Sequence, residues 1–221
     1  MRVMRWIFLL GGLLPLAVPA PAGATSPPGD SYVLGDSLGE GVAEVSHLKG
    51  FAHVSVHIRG PRTLEQLAQT PPNATVFLVL GTNDANGTIA RLDKSIDDIV
   101  HAAEAKNIAL IWLGPPCVRQ SWDTRAHDLD VMLKARFTGT AVRYVSMRDP
   151  ELCSGSLQEP DGVHLKPKGY VHMWEKAAAA AGFALASAAP AAPQKVAARI
   201  PLPIPRRPLE TDFTGSIAKA R

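Results

Sequence analysis

A chain of 221 residues, 46% of them hydrophobic, is long enough to bury one substantial core, so one domain with extensions is the expectation. The formal charge of +3 sits at the two ends: residues 1–24 carry Arg2 and Arg5 and no acid, and from Lys195 onward six basic residues face Glu210 and Asp212, which leaves the middle at net −3. A mildly acidic middle argues against a nucleic-acid surface.

The chain opens with Arg2 and Arg5 ahead of an uncharged apolar run from Trp6 to Val18, followed by Ala22-Gly23-Ala24. A positive start, an apolar stretch too short to span comfortably and a small-residue cleavage site predict a secretory signal peptide over residues 1–24. A retained membrane anchor is the alternative. Residues 25–30 are then a short linker. The tail, residues 186–221, alternates Pro and Ala before Ile200-Pro201-Leu202-Pro203-Ile204-Pro205-Arg206-Arg207-Pro208. Alternating Pro forbids a regular helix, so the tail is expected to be an extended, flexible appendage. Its basic groups offer peripheral contact with an anionic envelope surface, against the plainer reading of a solvated linker. The sequence carries no signal of oligomeric state.

Between these ends, residues 31–185 alternate apolar runs with helical patterns. Strands are predicted at Tyr32–Leu34, His53–Ile58, Thr75–Leu80, Ile108–Leu113 and Val142–Val145. Helices are predicted at Leu38–Leu48, Thr63–Gln69, Ile89–Lys106, Thr124–Phe137 and Pro167–Ala181. Strand-helix alternation with near-continuous apolar strands predicts an α/β fold, a parallel five-stranded sheet covered on both faces. Right-handed crossovers make it doubly wound, with strand order 2-1-3-4-5.

In such a sheet the reactive crevice lies outside the carboxyl ends of the strands, where the order reverses between the first and third. Gly35-Asp36-Ser37-Leu38 follows the first strand, placing the Ser37 hydroxyl at a helix N-terminus beside unpaired N–H groups. Read alone, Asp36 or Ser37 is a helix cap. Gly81-Thr82-Asn83-Asp84 follows the third strand, and Asn83 can point an amide donor into the same crevice; read alone, this is an ordinary turn. Gly60 ends the predicted second strand, and its N–H is a third candidate donor, although a Gly before Pro61 is also plain turn punctuation.

Glu159-Pro160-Asp161-Gly162-Val163-His164-Leu165 follows the last strand. A serine hydroxyl becomes a nucleophile when an imidazole removes its proton, and the imidazole works when a carboxylate fixes its tautomer. Asp161 and His164, three apart across a Gly-containing turn, can meet within one loop. Of seven His, only His164 has this setting, and no two show metal-ligand spacing with acids, so no metal is assigned. Cys117 and Cys153 are the only thiols, and each follows a predicted strand at the same end of the sheet. In an exported protein such a pair predicts a disulfide, in a cytosolic one two free thiols.

These four blocks, Gly35-Asp36-Ser37-Leu38, Gly60, Gly81-Thr82-Asn83-Asp84 and Asp161-Gly162-Val163-His164, in this order, resemble those of the SGNH, or GDSL-type, hydrolase family over roughly residues 31–182. His57 stands where that family often has Asn, and Pro61 follows Gly60, so Gly60 is the least complete match. The resemblance implies a three-layer α/β/α, flavodoxin-like fold and hydrolysis of esters or thioesters without a cofactor. It implies Ser37 as nucleophile, His164 as base, Asp161 as its orienting partner, and Ser37 N–H, Gly60 and Asn83 as the oxyanion hole. Export and the lack of a long apolar lid point to a small acyl group, such as O-acetyl on an envelope or extracellular polysaccharide, hence a small-molecule or carbohydrate ester as partner. Arg59, Arg62 and Arg119 are candidates for meeting an anionic substrate, although solvated loop charges are the plainer and preferred reading, and Trp112 and Trp122 are candidates for stacking on sugar or simply packing. An acyltransferase or a lysophospholipase-like thioesterase with the same residues is the nearest rival; a non-catalytic glycan-binding or assembly module is the rival from another class. A flavin reading of the fold ranks below these, because the loop after the first strand is short and holds one hydroxyl for a phosphate.

Overall fold

The computed structural model describes residues 30–183; the expectations for the signal segment, for residues 25–29 of the linker and for the tail lie outside the described residues. Five parallel strands, β1 (Ser31–Gly35), β2 (Lys49–Gly50), β3 (Thr75–Val79), β4 (Ala109–Leu113) and β5 (Arg143–Val145), pair in the order β2-β1-β3-β4-β5. Among the described residues seven helices accompany them: α1 (Ser37–Ser46), α2 (Pro61–Gln69), α3 (Thr82–Asn86), α4 (Asp93–Glu104), α5 (Asp123–Phe137), and, after β5, α6 (Pro150–Cys153) and α7 (Pro167–Ala181). The doubly wound α/β architecture and the strand order agree with expectation.

Side chains alternate across a pleated strand, and here each face meets its own helical layer. Val33, Phe77, Val79, Ile111 and Leu113 pack with Leu38 and Val42 of α1 and Met173 and Ala177 of α7. Tyr32, Leu34, Val76, Leu78, Leu110 and Trp112 pack with Leu67 of α2, Ile96 and Ile99 of α4, and Leu129 and Leu133 of α5. Both faces being buried explains why the central strands read as continuous apolar runs.

Three expectations are corrected. The second strand lies at Lys49–Gly50, not at His53–Ile58. Main-chain bonding to β1 continues briefly, Phe51 N–H to Val33 at 2.9 Å and His53 N–H to Gly35 at 3.0 Å, and then Ser55 at φ +58° turns the chain away. Val56 and Ile58 are buried all the same, so their alternation with exposed Ser55 and His57 reflects packing into the core rather than a sheet ladder. The helix expected from Ile89 begins at Asp93, after turns through residues 87–92. Gly81-Thr82-Asn83-Asp84 opens α3, which is only five residues long, rather than a simple turn. Trp112 and Trp122 are 0% and 8% exposed in the core, which settles them as packing residues.

Candidate active site

The sharp exit from β1 is built by Gly35. At φ +120° it stands where a side chain would strike the Val79 carbonyl, so only glycine lets β1 lie this close to β3 at the turn. The next residue, Asp36, donates its N–H to Val79 at 3.1 Å, and its Oδ1 accepts the Leu38 N–H at 3.0 Å as the cap of α1. Ser37 is thereby the first residue of α1, with its backbone N–H at the positive end of the helix. Gln66, buried on α2, fixes the turn from the other side: its Oε1 accepts the Gly35 N–H at 2.9 Å and its Nε2 donates to the Gly35 carbonyl at 3.0 Å.

On the far side of the crevice the chain folds back in a tight hairpin. Gln158 and Leu165 form an antiparallel bridge, Glu159 N–H donates to the His164 carbonyl at 2.8 Å, and Gly162 takes φ +70° at the tip. Asp161 Oδ1 accepts the backbone N–H groups of Val163 at 2.9 Å and His164 at 3.0 Å, leaving Oδ2 to face His164 Nδ1 at 2.6 Å. His164 Nε2 in turn lies 3.0 Å from Ser37 Oγ, across a sequence separation of 127. With Nδ1–H donated to Asp161, the Nε2 lone pair faces the hydroxyl, the tautomer that accepts its proton.

The surroundings set the carboxyls apart. Partial burial works against ionisation of Asp161, but the His164 ring and the N–H groups of Val163 and His164 outweigh it and hold this carboxyl below the usual range. Asp36, 1% exposed, is pushed up to about 7, chiefly by burial, against the pull of the Leu38 and Gly39 N–H groups and with nearby Asp84 adding to the rise. Asp84 is likewise raised by burial, opposed first by the Ile58 N–H and then by His57. An ionised carboxylate beside the imidazole orients His164, while burial makes Asp36 and Asp84 harder to ionise beneath the turn.

Asn83 and Gly60 come to the same end of the sheet. Asn83 Nδ2 donates to the Val56 carbonyl at 2.9 Å and Asp84 Oδ2 accepts the Ile58 N–H at 2.9 Å, which staples residues 56–58 onto α3. Each Asn amide has two N–H bonds, and the Asn83 side chain has no other hydrogen bond among the described residues. Gly60 caps α2 at φ +110° with open space where a side chain would stand, so the backbone conformation rather than crowding requires glycine. Its N–H donates to no group among the described residues.

Cys117, in the β4–α5 loop, is bonded to Cys153 at the end of α6, with Cα atoms 5.0 Å apart. The same loop braces the hairpin: Arg119 N–H donates to the Gly162 carbonyl at 2.8 Å, Arg119 Nη2 to that of Glu159 at 2.7 Å, and Gln120 Nε2 to that of Asp161 at 2.6 Å. Arg119, a candidate contact for an anionic substrate, spends its guanidinium on this brace, and Arg62 Nη1 donates to the Val54 carbonyl at 3.4 Å. Gln66, Asp84, Gln120 and Gln158 were not anticipated. Asp84 adjoins Asn83 in its motif, but a polar side chain that bonds a distant backbone group leaves no periodic trace in sequence.

No protein-family model matches the sequence, and a comparison with curated proteins returns no match. Solved structures do match in fold. A catalytic mutant of an acetylxylan esterase from Geobacillus stearothermophilus superposes with a TM-score of 0.58 at 13% identity, over 72% of this chain and 98% of that one. A member of the lipolytic protein G-D-S-L family from Veillonella parvula DSM 2008 gives 0.53 at 18% identity, over 67% and 95%. A carbohydrate esterase family 3 structure from Talaromyces cellulolyticus gives 0.53 at 15%, over 66% and 93%. The chain therefore has the three-layer α/β/α fold that these G-D-S-L and carbohydrate esterase structures share.

Proposed function

We propose that the protein is a serine esterase that removes small acyl groups, O-acetyl above all, from a carbohydrate or other ester. The observation that carries this reading is the line from Asp161 Oδ2 through His164 to Ser37 Oγ, at 2.6 and 3.0 Å. His164 Nε2 takes the Ser37 proton as Oγ bonds to the ester carbonyl carbon, and the carbonyl electron pair moves onto oxygen. The backbone N–H groups of Ser37 and Gly60 and the free amide N–H of Asn83 receive that oxyanion, donors worth roughly 3–4 kcal/mol each in the transition state. When the tetrahedral intermediate collapses, the alcohol leaves with the proton from His164. Water then gives a proton to His164 and attacks the acyl carbon, and the released Ser37 oxygen recovers the proton as the acid departs. Asp161 stays ionised throughout and steadies the imidazolium.

The acetyl preference is supported by two neighbours of the same fold whose names describe an acetylxylan esterase and a carbohydrate esterase. Residues 1–24 direct export, residues 31–185 form the catalytic domain and residues 186–221 are appended to it. The basic residues near the start and the apolar run after them support the first of these assignments. Purified protein is expected to hydrolyse p-nitrophenyl acetate and to release acetate from an acetylated polysaccharide, with Ser37→Ala inactive on both but folded. A Ser37→Ala variant with wild-type turnover contradicts the reading. Protein recovered outside the cytoplasm is expected to begin near Thr25; an intact Met1 on that protein contradicts cleavage.

A further inference from the structure

We propose that Arg119 and Gln120 are positioning residues for the Asp161–His164 hairpin, and that the Cys117–Cys153 disulfide anchors the loop they stand on. The inference rests on the esterase reading above. Burial anchors the base of the hairpin, where Gln158 and Leu165 are each 2% exposed, but not its catalytic side chains: Asp161 and His164 are 50% and 42% exposed. Its placement over Ser37 depends on hydrogen bonds from outside. Three of these are the donations of Arg119 and Gln120 to the Gly162, Glu159 and Asp161 carbonyls, and a fourth runs the other way, from Gln158 Nε2 to the Cys117 carbonyl at 2.6 Å.

Gly162 is the point of closest approach. A Cβ there would lie 2.9 Å from Arg119 Cβ and 3.2 Å from its carbonyl oxygen, so the two backbones are in direct contact. The supporting loop is itself fixed at both ends. Arg148 donates to the Pro116 carbonyl at 3.2 Å and pairs with both oxygens of Asp123 at 3.0 and 2.9 Å, while Val118 N–H donates to Asp123 Oδ1 at 2.8 Å. Asp123 is held below the usual carboxyl range, first by Arg148. The disulfide closes the frame from the α6 side. Every contact of Arg119 and Gln120 with the hairpin goes to backbone carbonyls of residues 159–162, so these side chains act through position rather than through charge on the imidazole. Misplacing a general base by about 1 Å costs on the order of 100-fold in rate.

The test compares wild type, Arg119→Ala, the double variant Arg119→Ala/Gln120→Ala, Arg119→Lys, and Lys94→Ala as an exposed control on α4. The measurements are kcat and KM on p-nitrophenyl acetate, the rate of Ser37 labelling by a fluorophosphonate, and the thermal midpoint. The double variant is expected to lose about tenfold or more in kcat and in labelling rate, with KM within about twofold and the thermal midpoint close to wild type. Arg119→Lys, which keeps a donor for the Glu159 carbonyl, recovers part of the activity that Arg119→Ala loses, and Lys94→Ala matches wild type. A double variant with wild-type kcat overturns the inference, as does a loss of rate fully accounted for by unfolding with no recovery in Arg119→Lys. An active wild type with an equally active double variant overturns this inference alone, whereas a wild type that neither turns over the ester nor labels at Ser37 overturns it together with the esterase reading.

Discussion

Replacing Asp36 by Asn separates the carboxyl's role as a helix cap from its charge. Asp36 is 1% exposed, its Oδ1 caps α1 through the Leu38 N–H, and its Oδ2 has no hydrogen-bond partner among the described residues. Burial, with Asp84 nearby, pushes the carboxyl up from 3.8 to about 7. Between those values the unfolded chain has released a proton that the folded protein keeps, so the folded state binds more protons and stability falls as pH rises. For this displacement the fall amounts to roughly 4 kcal/mol, present in full below about pH 4 and lost by the time pH passes 7. An Asn at this position caps the helix through its own oxygen but never ionises. Its amide N–H groups, placed where Oδ2 lacks a partner, cost about 1–3 kcal/mol at every pH. The informative quantity is therefore the slope rather than the offset. Urea unfolding of both proteins at several pH values between about 4 and 8 gives the stability difference directly. Asp36→Asn is expected to gain several kcal/mol on wild type across that range. A difference that stays constant with pH refutes the claim that burial keeps this carboxyl protonated above its usual range.

Other expectations follow from single contacts. Asp161→Asn leaves the hairpin in place but removes the charge that fixes the His164 tautomer, and kcat on p-nitrophenyl acetate is expected to fall by roughly 10⁴ with the fold retained; a loss of less than tenfold contradicts the assigned role. Asn83→Ala removes one oxyanion donor and is expected to lower kcat by about 10²–10³. Because the same side chain bonds the Val56 carbonyl, the thermal midpoint is also expected to drop, and an unchanged kcat contradicts the donor role. Asp149, held at about 2 because Lys176, the Leu152 N–H and His172 outweigh its partial burial, gives the opposite sign to Asp36. Its contribution is present above about pH 4 and lost as pH falls through 2, so Asp149→Asn, which keeps the α6 cap, is expected to cost roughly 2 kcal/mol near pH 6 and little near pH 2. Equal costs at both pH values contradict that assignment.

The sheet was legible because its strands are buried on both faces: Val33 and Phe77 point one way, Leu34 and Leu78 the other, and both sets are apolar. The approach of His164 to Ser37 was legible because both lie on chain that follows a strand, and a parallel sheet brings such ends together. His53–Ile58 misled because Val54, Val56 and Ile58 alternate with His53, Ser55 and His57 as in a strand, although the burial of Val56 and Ile58 comes from packing beside α3 after the turn at Ser55. The five residues of α3 are too few to show a helical period. The brace from Arg119 and Gln120 had no sequence signature at all, since an exposed Arg and Gln that bond backbone carbonyls look like any solvated loop.

The central claim, that Ser37 is an activated nucleophile served by His164, is tested most directly by incubating the folded protein with a fluorophosphonate and mapping the adduct by peptide mass. The account predicts a single stoichiometric adduct on Ser37 that is abolished in Ser37→Ala and strongly slowed in His164→Ala. An unlabelled Ser37 in folded wild-type protein, or labelling that proceeds unchanged without His164, contradicts it.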